Sequence, residues 1–255
     1  MQTTTNEPFV RRRVAIGRWS TTLGFLVLLG GMYISLQQPQ RPDPNSITWI
    51  VFAPWITLFL GIVLLNVGKY HAMRYGSNPR VDQALASALK GLDHRYHLYS
   101  YVPDWPVEHL LATPQGVIVL EPRSFSGEVI HAGSEWKRPM NLKGILQRFA
   151  EGGLGNPTRE ALADAEAVHQ MLRERLGDAV GGSISVFPII VMTNPRIKLN
   201  LSNPDVPVVT IGNVRSAVRQ IKDANKLTAT VQRQLVRALH WDPPHQALST
   251  TRSNT

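Results

Sequence analysis

The chain has 255 residues, 43% of them apolar and 18% charged, with no cysteine, which excludes disulfides and thiolate metal sites. Its net charge of +9 is unevenly placed: residues 1–76 hold seven Lys/Arg against two acids, residues 77–255 twenty against sixteen. More than half of the excess therefore lies in the N-terminal third, where it speaks for membrane topology and anionic lipid before nucleic acid.

Residues 1–18 form a basic N-terminal segment carrying Arg11, Arg12, Arg13 and Arg18. Two uncharged runs follow, 19–36 and 47–67, each close to the roughly 20 residues that cross a bilayer core as a helix. The connection between them is short and polar. The pair reads as a transmembrane hairpin rather than two core helices, and no small-residue cleavage site marks the first run as a signal peptide. Arginines precede the first run, and Lys69, Arg74 and Arg80 follow the second, whereas the connection has only Arg41 opposed by Asp43. The positive-inside rule then predicts an integral protein of a bacterial-type cell membrane, with both termini and the C-terminal domain cytoplasmic.

Residues 77–240 are long enough to bury a core of their own and alternate helix and strand patterns. Val81–Leu92 has helical spacing, and Tyr96–Val102 is strand-like. Val107–Ala112 and Val117–Leu120 form a hairpin around Pro114-Gln115-Gly116, and Gly127–Ile130 extends the sheet. Trp136–Gly155 is irregular and glycine-rich. Asn156-Pro157 opens a helix with Ala161, Ala165, Val168, Leu172 and Leu176 on one stripe, and Gly177 ends it. Strands follow at Ser185–Met192 and Pro207–Ile211, and helices at Val214–Ile221 and Thr228–His240. Residues 241–255 read as a disordered polar tail. The order predicts an α/β domain around a mixed sheet.

The hairpin holds the candidate chemistry. Glu121 and Arg123 are two apart on a strand and share a face, and the pairing brings Glu108 into reach. Two acids and a cation at a strand end suit a metal-dependent phosphodiesterase, and equally a surface salt-bridge patch. Other signals are weaker. Gly152, Gly153 and Gly155 precede a helix start but lack the Gly-Lys-Ser/Thr of a P-loop. His94, His97 and His109 have no zinc-like spacing. No nucleophile elbow surrounds a serine. Arg215, Arg219, Lys222, Arg233 and Arg237 give two helices a basic edge that reads as a solvated face or a track for DNA or RNA.

The run Val107-Glu108-His109, Gly116, Glu121-Pro122-Arg123, Gly127 and Asn156-Pro157-Thr158-Arg159-Glu160 resembles the nuclease-related domain (NERD) family, over roughly residues 77–215. That resemblance implies a restriction-endonuclease-like fold, Mg²⁺ held by Glu108 and Glu121, Arg123 on the phosphate, and Asp82 of the first helix as a supporting acid. The family pattern has Asp at 108, Lys at 123 and Gln at 160. Arginine stays charged and offers a planar fork where lysine is a compact donor able to lose its proton. The reading is thus a membrane-anchored NERD-like domain in which the nuclease fold serves nucleic-acid, phosphate or protein binding, with an active Mg²⁺-dependent nuclease as the alternative.

Overall fold

The computed structural model describes residues 1–37, 49–132, 135–137, 155–221 and 226–241. The predicted tail beyond 241, Arg41, Asp43, Gly152, Gly153 and Lys222 lie outside them. The chain divides into two compact units: residues 1–6 with 81–255, and residues 7–80.

The second unit is a pair of helices, α1 (Glu7–Leu36) and α2 (Trp49–Tyr75). Both are long and apolar enough to cross a membrane, and their apolar windows are only 11% buried, so neither is a core helix. What α1 buries is small. Val10, Gly17, Gly24 and Gly31, a heptad apart, face α2. A Cβ on Gly24 would stand 3.0 Å from the Leu64 Cβ and 3.1 Å from the Gly61 carbonyl oxygen. Glycines on both helices thus let the backbones touch, the close approach by which helices pack where no hydrophobic effect drives them together. The polar side chains of Thr21, Thr57 and Asn66 donate to carbonyls one turn back in their own helices. At the base, Arg80 grips the Glu7 carboxylate with both terminal nitrogens, at 2.8 and 2.5 Å.

The first unit is an α/β domain of three layers. Its main sheet has the order β1-β2-β3-β4-β7-β9, from β1 (Gln2–Thr5), β2 (His97–Ser100), β3 (His109–Thr113), β4 (Gly116–Arg123), β7 (Val186–Met192) and β9 (Val208–Thr210). β3 runs antiparallel to β2 and β4, while β1, β7 and β9 lie parallel to their neighbours. The strands β5 (Gly127–Ala132), β6 (Glu135–Lys137) and β8 (Ile197–Ser202) form a separate small sheet, so Gly127–Ile130 does not extend the main one.

Side chains alternate across the main sheet. Leu110, Val117 and Val119 pack under α4 (Pro157–Leu176) and α7 (Ala229–Ala238) through Val168, Met171, Leu172 and Leu235. Leu111, Ile118 and Leu120 pack on the other face against Leu85 of α3 (Val81–Ala88) and against Val214 and Val218 of α6 (Val214–Gln220). A one-turn helix, α5 (Asp178–Gly181), links α4 to β7.

The N-terminal segment is not only a basic lead-in. Gln2–Thr5 completes the edge of the sheet beside His97–Ser100, and α1 starts at Glu7. The two-helix unit is therefore inserted between the first strand of the α/β domain and the rest of it. Helix boundaries are also shorter than the periodicity suggests: α3 stops at Ala88, where Leu89 and Leu92 continue its buried stripe in a turn.

Candidate functional site

The β3–β4 ladder runs from Thr113↔Gly116 to Leu110↔Val119; Glu108 immediately precedes β3, and Glu121 continues β4 beyond that ladder, paired with Ile190 of β7. The turn that fixes this register is tight: the Thr113 hydroxyl accepts from the Gln115 amide and donates to the Gly116 carbonyl. Gly116 itself has φ +144°, and a Cβ there would run into the Ser185 carbonyl oxygen, so only glycine fits. Ahead of Glu108, Tyr101 (φ 59°) and Asp104 (φ 60°) hold left-handed backbone that non-glycine residues rarely adopt. The Tyr101 amide donates to the Glu108 carbonyl at 2.7 Å, which ties that loop to the acid's backbone.

Glu121 and Arg123 lie on the α4 face of β4, in phase with Val117 and Val119. Their side chains are 19% and 22% exposed, and the Arg123 Nη2 donates to Glu121 Oε1 at 2.8 Å. The same nitrogen donates to Glu160 Oε2 in a short contact. Arg123 is therefore shared between two carboxylates through one nitrogen, while its buried Nε makes no hydrogen bond among the described residues. Its main chain is anchored as well, since the Arg123 carbonyl accepts from the Thr193 amide at 2.9 Å. Pro122 causes no break. β4 has outrun β3 there and pairs only with β7, through Val191, so no donor is missed on the β3 side.

Glu160 enters from the first turn of α4. That helix begins as the Asn-Pro pair predicts: the Asn156 side chain accepts from the Arg159 amide, and Pro157 opens the first turn. Thr158, the next residue, accepts from the Trp136 indole of β6 at 2.8 Å in a buried contact. The helix start is thus fixed to the small sheet, and Glu160 to β4. Trp136 had no role in the sequence pattern. Its buried hydrogen bond to the N-terminal turn of α4 is a tertiary fact that no spacing announces.

The remaining candidates go elsewhere. Asp82 is buried in α3, whose core residues pack on the opposite face of the sheet from Glu121 and Arg123. His109 is buried, with its Nδ1 3.1 Å from the Ser100 hydroxyl and its ring edge-on to Tyr101, a packing role. His94 is exposed beside Asp93, and His97 meets the Thr4 hydroxyl at 2.7 Å. The basic edge is partly committed: Arg215 donates to the Lys90 carbonyl and Arg219 to that of Gly91, the free carbonyls just past α3. Arg233 donates to Ala229 of its own helix.

Among the described residues, no group of three or more His, Asp or Glu side chains is arranged to hold a metal ion. A hard divalent cation needs several oxygen ligands around it. Here the Arg123 guanidinium sits between Glu121 and Glu160. An open groove of about 400 Å³ lies apart from this cluster, along α4 and the start of β7, lined by Leu162, Glu166, His169, Ser183 and Pro188. Comparison with protein-family models, with curated proteins and with solved structures finds no match.

Proposed function

We propose that this chain is a membrane-anchored α/β protein whose domain is a NERD-like scaffold that works by binding, without nuclease chemistry. The observation that carries this reading is Arg123. At the position where the nuclease motif has a lysine beside metal-holding acids, the chain has an arginine that pairs with both Glu121 and Glu160. The ion pair supplies the positive charge the acids need, and a planar, permanently charged guanidinium cannot serve as a base toward water. The motif spacing survives while the reactive identities do not.

Anchoring is supported by where apolar surface lies. Among the described residues, twenty of the twenty-two exposed large hydrophobics belong to α1 and α2; Leu162 and Val236 are the others. Monomeric soluble proteins rarely expose apolar surface on that scale, which marks a membrane or protein contact. Because β1 belongs to the α/β domain, the chain joins the two-helix unit to that one domain at both ends, as the even number of crossings predicted from the flanking cations requires. Since Arg215, Arg219 and Arg123 already serve protein acceptors, a protein partner suits this domain better than a nucleic-acid phosphate.

The test is a cleavage assay with DNA and RNA, Mg²⁺ or Mn²⁺, and the purified full-length chain beside its Glu121→Ala variant. Equal background from both supports the binding reading. Metal-dependent cleavage that Glu121→Ala abolishes would establish the nuclease instead.

A further inference from the structure

The last two strands of the main sheet overlap only in part. β9 pairs with Ile190–Met192 at the end of β7, and the Ile190 amide donates to the Pro207 carbonyl at 2.9 Å. Ahead of that, Val186–Ile189 has β4 on one side and, among the described residues, no strand on the other.

The ladder stops there because of two prolines. Successive residues of a strand turn their N–H and C=O groups to opposite edges. The Ser185 carbonyl accepts from the Val117 amide of β4, and the Thr193 amide donates to the Arg123 carbonyl, so the odd-numbered residues serve β4. The even-numbered ones face the other edge, as Ile190 does. Pro188 is one of these and has no N–H to offer; Pro207, the residue before β9, has none either. The open edge is left with the N–H of Val186 and the carbonyls of Val186 and Pro188. Acceptors outnumber donors.

The other wall is α4. It is the crossover helix between the parallel neighbours β4 and β7, so it runs back along β7. The groove of about 400 Å³ lies in this corner, with Leu162 and Ala165 of α4 and Val186 and Pro188 of β7 as its apolar lining. Leu162 is 48% exposed, one of only two large hydrophobics outside α1 and α2 so open among the described residues. Glu166 stands one turn further along α4 and is exposed. Among the described residues it makes no ion pair, and no lysine or arginine lines the groove. Its charge is unanswered.

We propose that this corner docks an extended, basic peptide segment of a partner protein. This deepens the reading that the domain works by binding. A strand laid along the Val186–Pro188 edge supplies the N–H groups that the two carbonyls lack. Side chains on one face of such a strand recur about every 7 Å. Leu162 and Glu166 are about 6 Å apart along α4, at 1.5 Å per residue. An apolar residue and a lysine or arginine two positions apart therefore meet both. An acidic segment brings like charges together and is disfavoured.

The experiment offers the purified full-length chain, in neutral detergent, a library of capped octapeptides on a threonine frame. Each carries one leucine and, two positions away, Lys, Arg, Glu, Asp or Ser; bound members are read by mass spectrometry. Lys and Arg members are expected to exceed Ser members by about fivefold, the strength of one exposed ion pair, with Glu and Asp members lowest. Moving the charge next to the leucine, onto the other face of the strand, should erase the preference. Glu166→Lys should invert the order, while Glu174→Lys, the same change two turns further along α4, should keep it. Recovery of no member, recovery without charge preference, or a preference that Glu166→Lys does not move would overturn the site. Nuclease cleavage in the assay above overturns the binding-only reading by itself, so the two failures are told apart.

Discussion

Arg123 illustrates how one side chain changes what a motif can do. Its pairs with Glu121 and Glu160 are partly open to solvent, so each is worth about 1 kcal/mol or less. A double-mutant cycle of Arg123→Ala and Glu160→Ala, read by chemical denaturation, should return a coupling of that size. A coupling near zero would mean the contact orders nothing. His97 makes a second test. Burial, and then the electrostatic influence of His240, push its pKa below the usual imidazole value. Its charged form is thus disfavoured in the folded state, and the unfolded chain binds the extra proton first. The contribution is complete above the unfolded value of about 6.5 and is lost as pH falls from there toward the lower folded pKa. The unfolding temperature should therefore decline from pH 7 to pH 5, and His97→Gln should flatten that decline. Tyr99, stacked on His97, has its phenol pushed up to about 12 by burial and stays neutral throughout.

At the scale of elements, what was legible depended on the physical signal each segment carries. The α4 start was legible because Asn156 and Pro157 act locally, through a cap and a fixed φ. The hairpin was legible because Gly116 has no substitute in its turn. Glu121 and Arg123 were legible as face-sharing residues, since a strand's period of two needs no tertiary information. By contrast β1 is Gln-Thr-Thr-Thr, which has no apolar alternation and becomes a strand only because the β2 edge offers partners. β8 does alternate, Ile197, Leu199 and Leu201 against Lys198, Asn200 and Ser202, and that period is the signal by which it can be found. Glu160 reached Arg123 through the docking of α4 on the sheet, which no spacing encodes. The glycine seam yields a paired prediction. Gly24→Leu forces a side chain into Leu64 and the Gly61 backbone and should cost about 1–3 kcal/mol of stability in detergent. Gly30→Leu, where no atom lies within 4 Å of a Cβ, should be nearly neutral. Equal effects from the two would contradict the seam.

For the whole molecule, the notable feature is that the α/β domain is not continuous in sequence. Its first strand precedes the two apolar helices and the remainder follows them. An even number of crossings is the arrangement that lets β1 pair with β2 on one side of a bilayer. The charge distribution acts in the same sense, since cations concentrate at the ends joined to the domain. On the proposed reading, a binding domain held this way would meet partners at a surface, where tethering raises effective concentration. The chain's lack of cysteine makes the decisive measurement simple. Single cysteines are introduced at Asn45, between the helices, and at Ser253, near the end of the chain, and intact cells are treated with a membrane-impermeant maleimide. The account predicts labelling at position 45 from outside and protection at position 253 until the membrane is opened. Labelling of both positions, of neither, or of position 253 alone in intact cells would contradict it.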